Sequence, residues 1–150
     1  SLVGSEMCIR DRPDIVHFSG HGSQRNEIIL QDTAGNPAPV RASALRSLFR
    51  VLKDNIRCVV LNACYTAEQA TAIAEVIDCV IGMSDAITDT ASIQFSTAFY
   101  RALGYGQSVQ TAFDLGGNLI DLSNLLEAHK PVLIADRIAP DAIRFVDPKA

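Results

Sequence analysis

The sequence contains no tryptophan, and only three tyrosines and six phenylalanines. It has no excess of basic residues either, because its formal net charge at pH 7 is -4. A nucleic-acid-binding surface would need a basic stripe, so nucleic acid is not an expected partner. No run of about 18 apolar residues is present, so we expect no membrane partner. The 150 residues, 48% hydrophobic and 20% charged, are typical of one globular domain.

Cysteine is scarce as well, since there are four and no two have the C-x-x-C spacing. This argues against a disulfide framework or a zinc ribbon and favours a reducing, cytoplasmic setting. Cys58 and Cys79 fall inside apolar strand patterns, where we expect small buried side chains. Cys64 differs, because it comes directly after an apolar run.

That run lies in residues 56–66, I-R-C-V-V-L-N-A-C-Y-T. Its lack of polar alternation predicts a strand buried on both faces of a parallel sheet. In such sheets ligands bind outside the carboxyl ends of the strands, where Cys64 would lie. Thr66 with Gln69 three residues later is a capping-box pattern, so a helix is expected directly after the cysteine. A helix amino terminus favours a thiolate, which makes Cys64 a candidate nucleophile.

A second apolar strand runs into a glycine-flanked histidine in residues 14–23, D-I-V-H-F-S-G-H-G-S. The segment between the two strands is long enough for a parallel crossover. Paired parallel strands lie about 4.8 Å apart, so His21 and Cys64 would meet at one edge of the sheet as a base and its thiol. Gly20 and Gly22 permit a sharp turn there, and the Gly22 N–H can face an oxyanion.

The segments H-F-S-G-H-G-S and V-V-L-N-A-C-Y-T closely resemble the caspase-like clan of cysteine peptidases, most of all its bacterial CHAT branch, which is related to separase. The resemblance covers residues 13 to about 105. The Q-A-C-x-G pentapeptide of true caspases is absent, and N-A-C-Y-T stands in its place. The resemblance implies a three-layer caspase-hemoglobinase fold, of α/β class with a mainly parallel sheet. It also implies a cysteine endopeptidase with a His21–Cys64 dyad, no cofactor, and the Cys64 N–H beside that of Gly22 in the oxyanion hole.

Residues 1–12, S-L-V-G-S-E-M-C-I-R-D-R, resemble the one-frame translation of a sequencing-library adapter, and we exclude them from the fold. We interpret residues 13–150 as the carboxyl-terminal part of a CHAT caspase-like peptidase domain. Caspase-like domains ordinarily have two strands before the one that bears the histidine, so we expect truncation at the amino terminus. The resemblance further implies upstream sensor or adaptor domains, a protein or peptide substrate, and an effector role in cytoplasmic signalling or defence.

The rest of the chain alternates between helical and strand patterns, which predicts an α/β layered fold. A two-stranded flap, with strands at 27–32 and 39–40, is expected after His21. The helix that follows would bury the face formed by Leu45, Leu48, Phe49 and Leu52. That helix is predicted at 42–53. The later elements are predicted as a strand at 79–83, a helix at 90–103 stopped by Gly104, a helix capped by Ser108 and ending near 126, and strands at 131–135 and 143–146.

Two acidic residues follow the third predicted strand, Asp85 and Asp89. This segment resembles the region where Arg-specific relatives such as separase have the acid that binds the basic P1 side chain of the substrate. A carboxylate binds a guanidinium through charge-assisted hydrogen bonds and repels a P1 aspartate. We therefore expect cleavage after Arg or Lys, with Asp89 as the specificity residue and Asp85 as its substitute. The alternative is that Asp89 is a helix N-cap and Asp85 a loop charge.

Other interpretations of the same residues are open. A non-catalytic CHAT-fold module that recruits partners would need neither His21 nor Cys64. A zinc site formed by these two residues and His17 would lack a fourth ligand, so no metal is expected. His17 lies inside a strand and is typical of a hydrogen-bonded core histidine, whereas His129 is expected in a solvated loop.

Overall fold

The computed structural model describes residues 15–22, 28–31, 34–123 and 125–146, with only the backbone at His21, Leu30, Gln31 and Pro37. The predictions made for residues 1–12 therefore lie outside the described residues. The chain divides into two compact units. Of the described residues, the first unit contains those up to 86 together with 132–137, and the second contains those from 87 to 131 together with 138–146.

The main sheet has the strand order β1-β5-β6-β7. Its strands are β1 (Ile15–Ser19), β5 (Cys58–Asn62), β6 (Cys79–Met83) and β7 (Pro131–Ile134). β1 pairs with β5 and β5 with β6, both in parallel. The predicted α/β class with a mainly parallel sheet is thus confirmed. The central strands are those whose sequences lack polar alternation, because side chains on both of their faces are buried.

A second, antiparallel sheet contains β2 (His21–Gly22), β3 (Ile28–Gln31) and β4 (Pro37–Val40). The turn between β3 and β4 includes Gly35 with φ 82°, a left-handed conformation that favours glycine. The predicted flap is confirmed as a hairpin, although β4 begins two residues earlier than expected. The sequence pattern missed β2, since a two-residue strand has no periodicity to detect.

Two helices belong to the first unit, α1 (Ala42–Leu52), which continues as a short 3-10 turn, and α2 (Ala67–Ile73). Leu45 and Phe49 of α1 are buried as predicted, but Leu48 is 39% exposed, so its prediction as a core residue is wrong. The stripe that α1 buries is narrower than the full i, i+3, i+4, i+7 face. The core of this unit comprises Val16, Phe18, Ile28, Leu45, Phe49, Ile56, Val59, Leu61, Ala63, Ala70, Ile73, Ala74, Ile77 and Val80.

The second unit is built on two packed helices, α3 (Asp89–Gly104) and α4 (Val109–Leu122). The predicted Ser108 cap is confirmed, because its hydroxyl accepts a hydrogen bond from the Thr111 N–H at 3.2 Å. A Cβ at Gly116 would lie 2.6 Å from the Phe95 ring, so this glycine permits the close approach of α4 to α3.

Two predicted helix ends and one predicted strand in this unit are wrong. Gly104 is still helical, and the left-handed residue after α3 is Gly106, with φ 86°. Helix α4 ends at Leu122, four residues before the predicted end. Residues 143–146 form no strand. Ile143 is fully buried and its carbonyl accepts a hydrogen bond from the Val109 N–H, so its apolar side chain reflects packing and not a sheet ladder. Within the described residues, no helix is long and apolar enough to cross a bilayer.

Candidate active site

The register between β1 and β5 determines where the two candidate catalytic residues lie. Ser19, the last residue of β1, is paired with Asn62, the last residue of β5. His21 and Cys64 each follow these paired positions by two residues. Because the strands are parallel, both residues leave the sheet at the same edge, as the two apolar runs predict.

Beyond that edge, the backbone of Gly22 lies against the backbone of Cys64. A Cβ at position 22 would overlap the Cys64 carbonyl oxygen and lie 2.8 Å from the carbonyl carbon. Only glycine fits this approach, since real Cβ atoms do not come so close to backbone atoms. The His21 backbone is therefore one residue away from a direct contact with the cysteine segment, while the His21 side chain is outside the described part of the chain.

The chain turns sharply after Cys64. Tyr65 has φ 58°, the only left-handed non-glycine residue in the part that the structure describes. Its N–H donates to the Asp85 carbonyl at 3.4 Å, and the next N–H, of Thr66, donates to the Met83 carbonyl at 2.9 Å. These two backbone hydrogen bonds hold the turn after Cys64 against the end of β6. The sequence offers no signal for this turn, because tyrosine rarely adopts a positive φ.

Thr66 has a role different from the predicted capping box. It precedes α2, but its side chain makes no cap hydrogen bond. The buried hydroxyl instead lies 2.9 Å from the Ala63 carbonyl oxygen and 3.2 Å from that of Leu61, and it accepts a hydrogen bond from the Met83 N–H at 3.0 Å. The capping-box prediction is wrong because the hydroxyl has backbone partners in β5 and β6 that no local pattern reveals. Through these contacts, Thr66 connects the end of β5 to the end of β6.

The three described cysteines differ in accessibility. Cys64 is partly exposed, whereas Cys58 and Cys79 are wholly buried, as predicted. Cys58 and Cys79 are paired in register between β5 and β6, which the sequence alone did not indicate. A hydrogen bond with Cys79, together with burial, raises the pKa of the Cys58 thiol well above its ordinary value and keeps it protonated. Cys64 is thus the one described thiol that a substrate can reach.

Neither of the other two histidines follows the end of β1 or β5. His17 is half-buried inside β1, opposite Val60, and burial lowers its pKa, which favours the neutral ring. His129 is exposed in a turn, as expected. The described side chains contain no cluster of three or more His, Cys, Asp or Glu residues that could bind a metal ion.

The two candidate specificity residues belong to different units. Asp85 is exposed in the first unit, where its backbone carbonyl holds Tyr65 and its carboxylate accepts the Ala86 N–H at 2.7 Å. Asp89 is the exposed first residue of α3 in the second unit. The N-cap of α3 is Thr88, whose hydroxyl accepts the Ala91 N–H at 3.2 Å, so the alternative of Asp89 as the cap is wrong.

Glu127 holds the start of α3 and was missed by sequence reasoning. Its carboxylate accepts the Thr88 N–H at 2.9 Å and the Thr88 hydroxyl at 2.6 Å, and it pairs with Lys130 at 3.1 Å. The hydrogen bonds from Thr88, with a smaller contribution from Lys130, lower the Glu127 pKa. The contact spans 39 residues of sequence, so no short-range pattern could reveal it.

Two curated proteins are similar to this chain in sequence. Over 98 residues the chain is 26% identical to a Roc-COR-CHAT protease of an unknown prokaryotic organism, covering 61% of this chain and 9% of that protein. Over 123 residues it is 24% identical to a probable protease of Gillisia limnaea (strain DSM 15749 / LMG 21470 / R-8282), covering 79% of this chain and 22% of that protein. The chain therefore spans less than a quarter of the length of either relative.

The family model of the CHAT domain matches residues 4–114, more than half of the chain. This match confirms the resemblance predicted from the segments around His21 and Cys64. The chain belongs to the CHAT domain family, a branch of the caspase-like peptidases.

Proposed function

We propose that this chain is a cysteine endopeptidase domain in which His21 and Cys64 form the catalytic dyad. The observation that supports this proposal best is the backbone contact between Gly22 and Cys64 just beyond two paired parallel strands. The contact brings the glycine-flanked histidine segment to the one described cysteine that is partly exposed. Protease-named relatives make peptide hydrolysis the natural reaction for this pair.

In the proposed mechanism, His21 accepts the proton of the Cys64 thiol, and the thiolate attacks the scissile carbonyl carbon. The Gly22 and Cys64 N–H groups donate hydrogen bonds to the resulting oxyanion. His21 then gives its proton to the leaving amine, and a thioester to Cys64 forms as the C–N bond breaks. Water, deprotonated by His21, attacks the thioester, releases the new carboxylate and restores the thiol.

Substrate selection rests on a carboxylate that binds a basic P1 side chain. We assign this role to Asp89, with Asp85 as its substitute. Asp85 is tied through its backbone to Tyr65, the neighbour of the nucleophile, which supports a role for this loop in substrate binding. Either carboxylate would form charge-assisted hydrogen bonds with a P1 arginine and would repel a P1 aspartate.

The setting of the domain is also part of the proposal. One relative is named for Roc and COR regions as well as CHAT, and this chain spans 9% of it. By analogy, the peptidase acts on protein substrates as the effector of a longer cytoplasmic signalling or defence protein with upstream sensor or adaptor domains. The described cysteines, Cys58, Cys64 and Cys79, are not in disulfide bonds, which suits a reducing cytoplasm.

The test is hydrolysis of three peptides that differ only in P1, which is Arg, Lys or Asp. We expect hydrolysis of the Arg and Lys peptides, abolished by Cys64→Ala and His21→Ala and unchanged by His129→Ala, the matched substitution of an exposed turn histidine. A preference for P1 Asp, or an Arg preference that survives both Asp85→Ala and Asp89→Ala, would contradict the specificity assignment. Equal activity of wild type and Cys64→Ala would reject the enzyme in favour of a non-catalytic interaction module.

A further inference from the structure

A groove of about 390 Å³ lies within the second unit, between the last turns of α3 and the outer face of α4. Small side chains, Ala98 and Ala102, line it on the α3 side, and Leu115, Leu119 and Leu122 line it on the α4 side. None of these residues belongs to the candidate active site. The groove is large enough for several side chains of a bound segment.

The leucines on the α4 side are unusually exposed for their size. Leu115 is 43% exposed and Leu122 is 71% exposed, and Leu126, just beyond the helix, is 90% exposed. Along α4, Leu115, Leu119 and Leu122 follow the spacing 4, 3, which is the spacing of a seam between two packed helices. Such a stripe suits the apolar face of another helix, which would contact it at i, i+3 or i+4, and i+7.

The charge of the groove restricts which side chains such a helix can present to it. Arg101 is the one ionised side chain that lines the groove. Its guanidinium makes no ion pair and no hydrogen bond with any residue that the structure describes. The acidic residue Asp114 on α4 lies outside the lining and accepts a hydrogen bond from Gln110 at 3.0 Å. The groove is thus locally cationic on a chain whose formal net charge is -4.

We infer that this groove binds an amphipathic helical segment with apolar side chains at helical seam spacing and a carboxylate that faces Arg101. The leucine stripe provides the apolar contact, and the single unpaired guanidinium sets the charge and orientation of the segment. A second copy of this chain is a poorer occupant, because its own groove would present another arginine and no carboxylate. The site goes beyond peptide hydrolysis and is independent of Cys64.

The probe is a fluorescein-labelled synthetic helical peptide with leucine at i, i+3 and i+7 and one glutamate beside this face. A control peptide has lysine in place of the glutamate. Fluorescence anisotropy with the whole chain should show saturable binding of the glutamate peptide and much weaker binding of the lysine peptide. Leu122→Ser and Arg101→Glu should each weaken the glutamate peptide about tenfold. Ile93→Ser is the matched control, since Ile93 is 62% exposed on α3 but does not line the groove.

The Arg101→Glu variant tested with the lysine peptide gives the most discriminating result. Arg101→Glu should restore binding of the lysine peptide, which a general loss of folding cannot do. Equal binding of both peptides, absence of binding, or binding unaffected by Arg101→Glu and Leu122→Ser would overturn the inference. Sedimentation that shows a dimer disrupted by Leu122→Ser, without peptide binding, would overturn it in favour of self-association.

Discussion

Gly22 leaves no space for a side chain beside the carbonyl group of Cys64. The two residues are 42 positions apart in the sequence, yet they meet because β1 and β5 pair in parallel with Ser19 opposite Asn62. The contact links the glycine after the candidate base to the candidate nucleophile. Any residue other than glycine at position 22 would move one segment away from the other.

Gly22→Ala should therefore lower kcat/KM for peptide hydrolysis strongly, with a smaller effect on the free energy of unfolding. The new methyl group would displace the Cys64 backbone, and a misplacement of about 1 Å can lower kcat/KM about 10²-fold. Gly104→Ala is the matched control, because a Cβ there meets nothing within 4 Å and the residue ends a helix. The control should retain activity and gain about 0.5–1 kcal/mol of stability. Steady-state kinetics and thermal unfolding of both variants decide this, and normal kcat/KM in Gly22→Ala would contradict the contact.

Two substitutions of Thr66 should show how much its hydroxyl contributes to the stability of the chain. Thr66→Val keeps the shape but leaves the Met83 N–H and the Ala63 carbonyl without the hydroxyl, which should destabilise the chain by about 1–3 kcal/mol. Thr66→Ser keeps the hydroxyl and should lose clearly less. Urea unfolding of the two variants measures the difference. Equal stabilities would show that the hydroxyl does not join the ends of β5 and β6.

Glu127 should make the stability of the second unit depend on pH. Its pKa is lower in the folded chain than its ordinary value of 4.5, so the unfolded chain binds the proton first as the pH falls. The stabilisation is therefore complete above about pH 4.5 and is lost as the pH falls through the folded pKa. Glu127→Gln should be less stable at neutral pH and should lose this part of the acid dependence.

The control for that substitution is Glu75→Gln. Glu75 pairs with Arg46 at 2.8 Å, but its side chain is 55% exposed, and exposed pairs contribute little to stability. Unfolding curves measured from neutral to acidic pH should coincide for wild type and Glu75→Gln. If Glu127→Gln also coincides with wild type, the buried carboxylate does not stabilise the start of α3.

Sequence reasoning was most successful where burial leaves a one-dimensional pattern. The apolar runs at Cys58–Asn62 and Cys79–Met83 mark central strands, because side chains on both faces of such strands avoid water. The Ser108 cap is likewise local, since a hydroxyl and the N–H three residues later interact within one turn. The parallel pairing of β1 with β5 followed from strand burial and crossover length.

What the sequence could not reveal depends on contacts between distant segments. The Thr66 hydroxyl looks like a cap until the end of β6 is placed beside it. The positive φ of Tyr65 and the hydrogen bonds between Glu127 and Thr88 also require tertiary structure. The apolar residues around Ile143 predict a strand, but Ile143 is buried by packing after a short 3-10 turn.

The most direct test of the catalytic assignment is covalent capture of the nucleophile. Among the described cysteines, a peptidyl chloromethyl ketone with P1 arginine should alkylate Cys64 alone and leave the buried Cys58 and Cys79 as internal controls. Peptide mapping by mass spectrometry locates the adduct, and its rate should fall about 10²–10⁴-fold in His21→Ala but not in His129→Ala. An adduct at Cys64 that forms equally fast without His21, or equal labelling of Cys58, Cys64 and Cys79, would contradict the dyad.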